Sequence, residues 1–107
     1  MSIRSLCDKL ARVERATASQ TDAGGAARTW TAIARDVRCR VQPASADLLV
    51  ESMQAGMRIT HRVYLFAEVD AAVGDRIVVD GRTLLVRGLI DADLRNRMRV
   101  VLAEEMG

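Results

Sequence analysis

The chain has few of the residue types on which small enzymes and small secreted domains depend. Among its 107 residues are one histidine, two cysteines, one proline and three aromatic residues. Cys7 and Cys39 stand far apart, with neither a CxxC motif nor a nearby histidine, so no zinc site or disulfide framework is expected. Because aromatics are scarce, the core must be built mainly from Val, Leu, Ile, Met and Ala.

Long apolar runs and a strong charge imbalance are also missing. No run approaches the roughly 18–20 apolar residues of a membrane span. Arg4, Asp8 and Lys9 interrupt the N-terminal apolar residues, so no signal peptide is expected. A net charge of +2 is too small to imply nucleic-acid binding. We therefore expect one domain over residues 1–107, made in a reducing cytoplasm or in a particle assembled there.

Alternation of apolar and polar residues predicts β-strands over most of the chain. Val37, Cys39 and Val41 alternate with charged residues, as in a half-buried strand. Asp80-Gly81 separates two β-prone runs and predicts a two-residue hairpin turn. The predicted strands are 11–17, 28–41, 58–66, 76–79, 82–90 and a last strand with Met98, Val100 and Leu102 on one face. This pattern favours an all-β fold, a small antiparallel barrel of roughly five or six strands.

The expected core collects the apolar residues from one face of each strand. Its members are Val37, Cys39, Val41, Ile59, Val63, Val86, Val100 and Leu102. Residues 1–10 are interpreted as an N-terminal extension, with a short helical turn over 5–10. Residues 19–26, which include Gly24-Gly25, are predicted to form a loop.

One segment breaks the β-pattern. Between Pro43 and Gly56, Ser45 is a good N-cap and Asp47 suits the first turn of a helix over 45–54. Helical spacing places one face of that helix at Leu48, Leu49, Ser52 and Met53. We therefore predict a short helix or ordered loop, spanning 44–57, inserted into the barrel.

No group of residues in the sequence resembles a catalytic site. His61 falls on the apolar face of its strand, where a core or interface imidazole is far commoner than a catalytic base. Asp91 and Asp93 flank a turn, and Glu104 and Glu105 point to opposite sides of a strand. Neither pair is expected to bind metal or transfer protons. We predict no enzymatic activity, no cofactor and no metal.

Arginines are grouped on the predicted strands. Such rows are able to contact DNA phosphates, or to form a solvated or intersubunit face. The candidates for contacts between subunits or with a partner are Arg38, Arg40, Arg58, Arg62, Arg97 and Arg99. The scarcity of aromatics argues against a stacking surface for single-stranded nucleic acid.

The local motifs, taken in order, resemble those of one family. They are Gly24-Gly25, Thr29-Trp30-Thr31, Val41-Gln42-Pro43, Thr60-His61-Arg62-Val63, Asp80-Gly81-Arg82, Asp91-Ala92-Asp93 and Leu102-Ala103-Glu104-Glu105. With this spacing, residues 11–106 resemble the phage head–tail adaptor family. These are the head-completion or stopper proteins of tailed phages and gene transfer agents. Residues 1–9 depart from the pattern, because members often begin almost directly with the first strand.

The resemblance implies a homo-oligomeric ring of roughly six or twelve copies in the neck of a particle. It would lie between the portal with its adaptor and the tail terminator or tail proteins, away from any membrane. It would close the channel on packaged double-stranded DNA, which it contacts non-specifically. The lumen-facing segment would be 44–57, with channel-facing residues Asp47, Leu48, Leu49, Glu51, Met53 and Gln54. Two alternatives stay open: a small nucleic-acid-binding barrel, and another neck ring such as a tail-completion protein.

Overall fold

The fold is a closed barrel of six antiparallel strands. The computed structural model describes residues 7–20, 26–66, 69–91 and 98–106. In chain order the elements are β1 (Lys9–Gln20), β2 (Ala26–Pro43), α1 (Ala46–Gln54), β3 (His61–Phe66), β4 (Arg76–Val79), β5 (Arg82–Asp91) and β6 (Met98–Met106). The strands close in the order β1-β2-β3-β6-β5-β4. The prediction of a small antiparallel barrel with one inserted helix is confirmed.

Aliphatic side chains from alternate strand positions fill the interior of the barrel. The cluster contains Ala11, Val13, Val37, Cys39, Val63, Leu65, Ala71, Ile77, Val79, Leu84, Val86, Val101 and Ala103. Four of the predicted core residues, Val37, Cys39, Val63 and Val86, belong to this cluster, and Val41 is partly buried and packs against it. Ile59 is only 1% exposed but lies outside this cluster. Val100 and Leu102 are the two that the structure places elsewhere.

The prediction for the last strand was wrong by one residue. Val101, opposite Val63, is fully buried in the barrel, whereas Val100 and Leu102 are half-buried on the outer side. Residues 98–103 carry apolar side chains on both faces, so their alternation does not determine which face points inward. Shifting a strand by one residue exchanges its two faces. The register with β3, which the sequence does not reveal, decides the outcome.

The first two strands are longer than predicted and extend beyond the barrel. β1 pairs with β2 from Lys9 to Gln20, but only Ala11–Glu14 also pair with β4. Residues 15–20 and 26–31 therefore form a two-stranded arm. Residues 9–10, predicted as helical, and residues 19, 20 and 26, predicted as loop, belong to this ladder because each pairs across it. Residues 7–8, also predicted as helical, have no regular secondary structure, and the parts at 5–6 and 21–25 lie outside the described residues.

Two irregularities bend β2 where it leaves the barrel wall. The register between β1 and β2 shifts between Ala11 and Val13, and again between Val13 and Glu14. Asp36 lies within the first shift and has a positive φ of 52°. Aspartate tolerates this left-handed conformation better than most residues, and an extra residue of this kind increases local bending and twist. The bulges therefore redirect the strand from the curved wall into the arm.

The predicted two-residue hairpin between β4 and β5 is confirmed. Val79 pairs with Arg82, leaving Asp80 and Gly81 as the turn. Both turn residues have positive φ, 52° and 73°. That pair of angles is the requirement of a type I′ turn, which explains why the Asp-Gly sequence was informative.

A pair of neighbouring ion contacts fastens the base of the arm to β4. Glu14, only 7% exposed, accepts hydrogen bonds from Arg76 Nε at 2.5 Å and Arg12 Nε at 2.7 Å. The next residue, Arg15, donates from Nε and Nη2 to the two carboxylate oxygens of Asp75, each at 3.0 Å. Two consecutive residues of β1 thus bind two consecutive residues at the start of β4. In one pair β1 supplies the carboxylate, and in the other it supplies the guanidinium. We call these contacts the clamp.

The clamp also orders the loop before β4 and one aromatic ring of the arm. Asp75 accepts a hydrogen bond from the backbone N–H of Ala72 at 2.9 Å, and Arg15 donates to the carbonyl of Asp70 at 2.9 Å. The guanidinium of Arg76 lies 4.3 Å from the centre of the Trp30 ring, within cation–π range. Both strands of the arm are therefore attached to β4.

The buried core provides the first prediction. Leu84 is fully buried, whereas Leu10 is 60% exposed. We expect Leu84→Ala to lower the free energy of unfolding by about 2–4 kcal/mol, because it removes apolar contacts and leaves a cavity. Urea denaturation measures the change, and Leu10→Ala is the matched control, expected to stay close to the wild type. Equal losses in the two variants would contradict the assigned burial.

The clamp provides a prediction for acid pH. Burial by itself raises the pKa of the Glu14 carboxyl, but hydrogen bonds from Arg76 and Arg12 outweigh it and hold the pKa below the ordinary 4.5. The carboxylate therefore stabilises the folded chain fully above pH 4.5, and this contribution is lost as the pH falls through the lowered value.

We expect Glu14→Gln to be less stable than the wild type at neutral pH, with the difference shrinking as the solution is acidified. Urea denaturation at a series of pH values measures this convergence. Glu51→Gln, at an exposed position, should follow the wild type throughout. Parallel curves for the wild type and Glu14→Gln would show that the Glu14 contacts do not depend on its charge.

Candidate functional site: an exposed helix and an outer face of the barrel

Helix α1 has the start and the end that the sequence predicts. The hydroxyl of Ser45 accepts a hydrogen bond from the backbone N–H of Leu48 at 3.2 Å, and Asp47 stands in the first turn. Gly56, with φ of 81°, reverses the chain after the helix, and its N–H donates to the carbonyl of Met53 at 3.0 Å. A serine cap, an early acidic residue and a glycine stop are common helix boundaries.

The inner side of α1 is attached mainly to the segment that follows it. Ser52 is buried, and its hydroxyl donates to the carbonyl of Leu49 at 2.9 Å and accepts from the N–H of Ile59 at 3.1 Å. Leu48 and Leu49 are half-buried on this side. The helix makes little contact with the barrel strands. Its position therefore depends on this short linker rather than on packing against the wall.

The outer side of α1 combines acidic and apolar residues. Asp47, Val50, Glu51 and Gln54 follow helical spacing and are all exposed, with Val50 at 55%. Met53, which was grouped by spacing with the inner residues, is 59% exposed beside this stripe. The segment 44–57 contains no lysine or arginine. The exposed helix is thus a negatively charged surface with accessible apolar side chains.

Three of the six predicted contact arginines share the outer face of β2 and β3. Arg38 and Arg40 alternate with the buried Val37 and Cys39, so they point outward. Arg62 lies one strand away, opposite Gln42 and diagonal to Arg40. The Nε of Arg62 is buried yet has no hydrogen-bond partner among the residues that the structure describes.

Apolar side chains continue this surface across the barrel. The register aligns Arg40 with Tyr64 on β3, then Val100 on β6 and Ile90 on β5. Leu102 stands beside them, opposite Arg62. Ile90 is 52% exposed, and the others are half-buried. We call this surface the outer face; its members are Arg38, Arg40, Arg62, Tyr64, Ile90, Val100 and Leu102.

The other predicted arginines lie elsewhere. Arg58 is exposed in a cleft that Met53, Gly56, Met57, Arg87 and Glu104 also line. Arg99 pairs opposite Leu65, on the side of β6 that carries Val101. Arg97 is outside the described residues. The sequence missed the apolar half of the outer face, because the strand pattern assigned Val100 and Leu102 to the core. Tyr64, which shares the strand face of Arg62, was an available signal.

His61 stands at one mouth of the barrel rather than in its core. It is half-buried, and Thr60 Oγ1 lies 2.9 Å from its Nδ1. The mouth is lined by Lys9, Val41, Pro43, His61, Val79, Asp80 and Arg82. Lys9 pairs with Asp80 at 2.9 Å, and Arg82 pairs with Glu105 at 3.4 Å. Within the described ranges, no group of His, Cys, Asp or Glu has the arrangement of a metal site.

The remaining candidates for chemistry have structural environments. Glu104 binds Arg87 at 3.0 Å on one side of β6, while Glu105 binds Arg82 on the other, so this pair does point to opposite sides. Asp93 lies outside the described residues. Cys7 and Cys39 are free and buried. Burial raises the pKa of Cys39 to about 11, so its thiol stays protonated at neutral pH and is a poor nucleophile.

Comparison with solved structures identifies the fold. Protein SF1141 from Shigella flexneri 2a, solved in solution, is 19% identical, with a TM-score of 0.74 over 98% of this chain and 96% of that one. A chain from the virion of a native gene transfer agent particle is 18% identical, with a TM-score of 0.58 over 91% of this chain and 93% of that one. At such identities the likeness shows the fold alone.

The family comparison goes further. No curated protein matches the chain. Among the described residues, no helix is both long and apolar enough to cross a membrane. The sequence model of the phage head completion protein matches residues 4–106, which is nearly the whole chain. The protein therefore belongs to the phage head completion protein family, a family of structural proteins.

Proposed function

We propose that this head completion protein forms a ring in the neck of a tailed phage or phage-like particle. The ring joins the portal or its adaptor to the tail terminator or tail proteins and retains the packaged double-stranded DNA. The observation that carries this proposal is α1, which exposes acidic and apolar side chains while making little contact with its own barrel. A helix of this kind is suited to contacts outside its own subunit.

The surface of the subunit supports ring assembly. A cyclic ring uses a heterologous interface, so each copy must present two different and complementary surfaces. The exposed helix and the outer face differ in charge and both contain apolar side chains. The arm, which projects beyond the barrel, supplies a further surface for the portal or tail side of the ring.

The segment 44–57 is the proposed lumen-facing part. Its candidate channel residues are Asp47, Leu48, Leu49, Glu51, Met53 and Gln54. The apolar members narrow the channel by packing near the axis once the ring has formed. The ring needs no catalytic group for this role, and we propose that the protein has no enzymatic activity.

A second candidate function is nucleic-acid binding by the barrel itself. The observation that favours it is the group of outward arginines, of which Arg38 and Arg62 form no ion pair with a described residue. Apolar side chains adjoin this group, and the sequence has only three aromatic residues, which makes a poor stacking surface for bases. Tight DNA binding by the purified protein that weakens steeply with salt would favour this candidate over the ring.

Deleting residues 47–54 tests the channel role of the helix. Because α1 packs little against the barrel, we expect the shortened subunit to fold, and the particles to fill with DNA but leak it. Circular dichroism and urea denaturation check the fold, and nuclease-protected DNA per particle measures retention. A same-length replacement by Gly and Ser is the control for chain connectivity and should leak in the same way.

The alternative role of the helix is to cap the open end of its own barrel. Insoluble or unfolded subunits after the deletion would indicate that role. Folded subunits in particles that retain DNA normally would show that the segment does not close the channel. Particles made without the protein test the neck function as a whole, and they should fail to retain DNA or to acquire tails.

A further inference from the structure

We infer that α1 of one copy seats on the outer face of the next copy, with Asp47 and Glu51 against the arginines and Val50 and Met53 against the apolar strip. The inference rests on the proposed ring and specifies its interface.

The charges of the two surfaces are complementary. The helix segment carries Asp47 and Glu51 and no basic residue, and neither carboxylate forms an ion pair with a described residue. Arg38 and Arg62 likewise form none, and Arg62 Nε is a buried donor without a partner in the described part of the chain. Carboxylates from another copy would give the exposed parts of these unpaired guanidinium groups ionic partners.

The apolar side chains are also distributed in a matching way. On the helix, Val50 and Met53 are more than half exposed beside the acidic residues. On the outer face, Tyr64, Val100 and Ile90 continue the row that begins at Arg40. Each surface therefore places charged side chains next to apolar ones, so one contact between them pairs both kinds.

The dimensions of the two surfaces agree. A helix of nine residues is about 13 Å long. Three strand-to-strand steps, from β2 across β3 and β6 to β5, span about 14 Å. The helix thus covers the row from Arg40 to Ile90 without overhanging the barrel.

The occupant is a second copy rather than the helix of the same chain. Within one subunit, Asp47 and Glu51 make no ion pair with Arg38, Arg40 or Arg62, and α1 makes little contact with any strand. Ser45 and Ile59 hold the helix at the end of the barrel where β2 finishes. Seated on a neighbour, the acidic edge lies in the interface, and the rest of the segment 44–57 borders the channel.

A charge exchange between surfaces tests the interface. One full-length variant carries Arg40→Glu and Arg62→Glu, and the other carries Asp47→Arg and Glu51→Arg. Each variant alone brings like charges together, so we expect self-association, measured by analytical ultracentrifugation and native mass spectrometry, to weaken by about tenfold or more. An equimolar mixture should associate again, with the two variants alternating, because each helix then meets a face of opposite charge.

Controls separate the interface from general charge and folding effects. Arg35→Glu with Arg82→Glu makes the same charge change at exposed positions outside α1 and the outer face and should associate like the wild type. If Arg62→Glu disturbs folding, Arg38→Glu with Arg40→Glu replaces that variant. Absence of wild-type self-association, an equal loss in the control, or failure of the mixture to associate each overturns the inference.

The failure of this interface is distinguishable from failure of the proposed function. If the charge exchange gives no rescue but particles lacking the protein still lose DNA, the ring uses other surfaces. If the mixture is rescued but particles lacking the protein retain DNA and acquire tails, the interface is correct and the neck role is wrong.

Discussion

The short ladder between β1 and β4 is the constraint on which the rest of the molecule depends. It joins Ala11–Glu14 to Arg76–Val79 and converts a six-stranded sheet into a closed barrel. Without it, both strands would present open edges, which in other proteins pair with further chains and aggregate. The clamp begins at the last pair of this ladder, where Glu14 and Arg15 bind Arg76 and Asp75. Closure of the barrel and attachment of the arm are therefore achieved at the same place.

Closure also sets the positions of the two projecting parts. β1 begins and β2 ends at the barrel mouth that contains His61, and α1 follows directly from that end. The arm is formed at the opposite ends of the same two strands. One pair of strands thus separates the helix from the arm by the length of the barrel. In the ring that we propose, one end of the subunit contacts a neighbour while the other end reaches the next layer of the particle.

Local signals in the sequence predicted the features that depend on local chemistry. The Asp80-Gly81 turn, the Ser45 cap and the alternation at Val37 and Cys39 are examples, because each reflects a backbone angle, a hydrogen bond or a single strand. The phase of β6 was not predictable in this way, since its two faces are about equally apolar and only the pairing with β3 decides between them. The length of the arm depends on pairing between strands, and the residues that extend it are polar or small.

The sequence predicted only the part of the candidate site that depends on local spacing, and not the part that depends on pairing between strands. Spacing along β2 and β3 predicted that Arg38, Arg40 and Arg62 point outward. Their alignment with Val100 and Ile90 depends on the order β2-β3-β6-β5, which joins strands far apart in sequence. The clamp was missed altogether, because Glu14 and Asp75 lie in weakly patterned segments and become partners only when the barrel closes.

Burial of the two cysteine thiols affects how the protein responds to oxidation. A particle assembled in a reducing cytoplasm is later released into an oxidising medium, where exposed thiolates form disulfides or are oxidised further. Burial keeps the Cys39 thiol protonated, and it raises the pKa of Cys7 in the same direction. Because the thiolate is the reactive form, burial slows the oxidation of both cysteines when the redox environment changes.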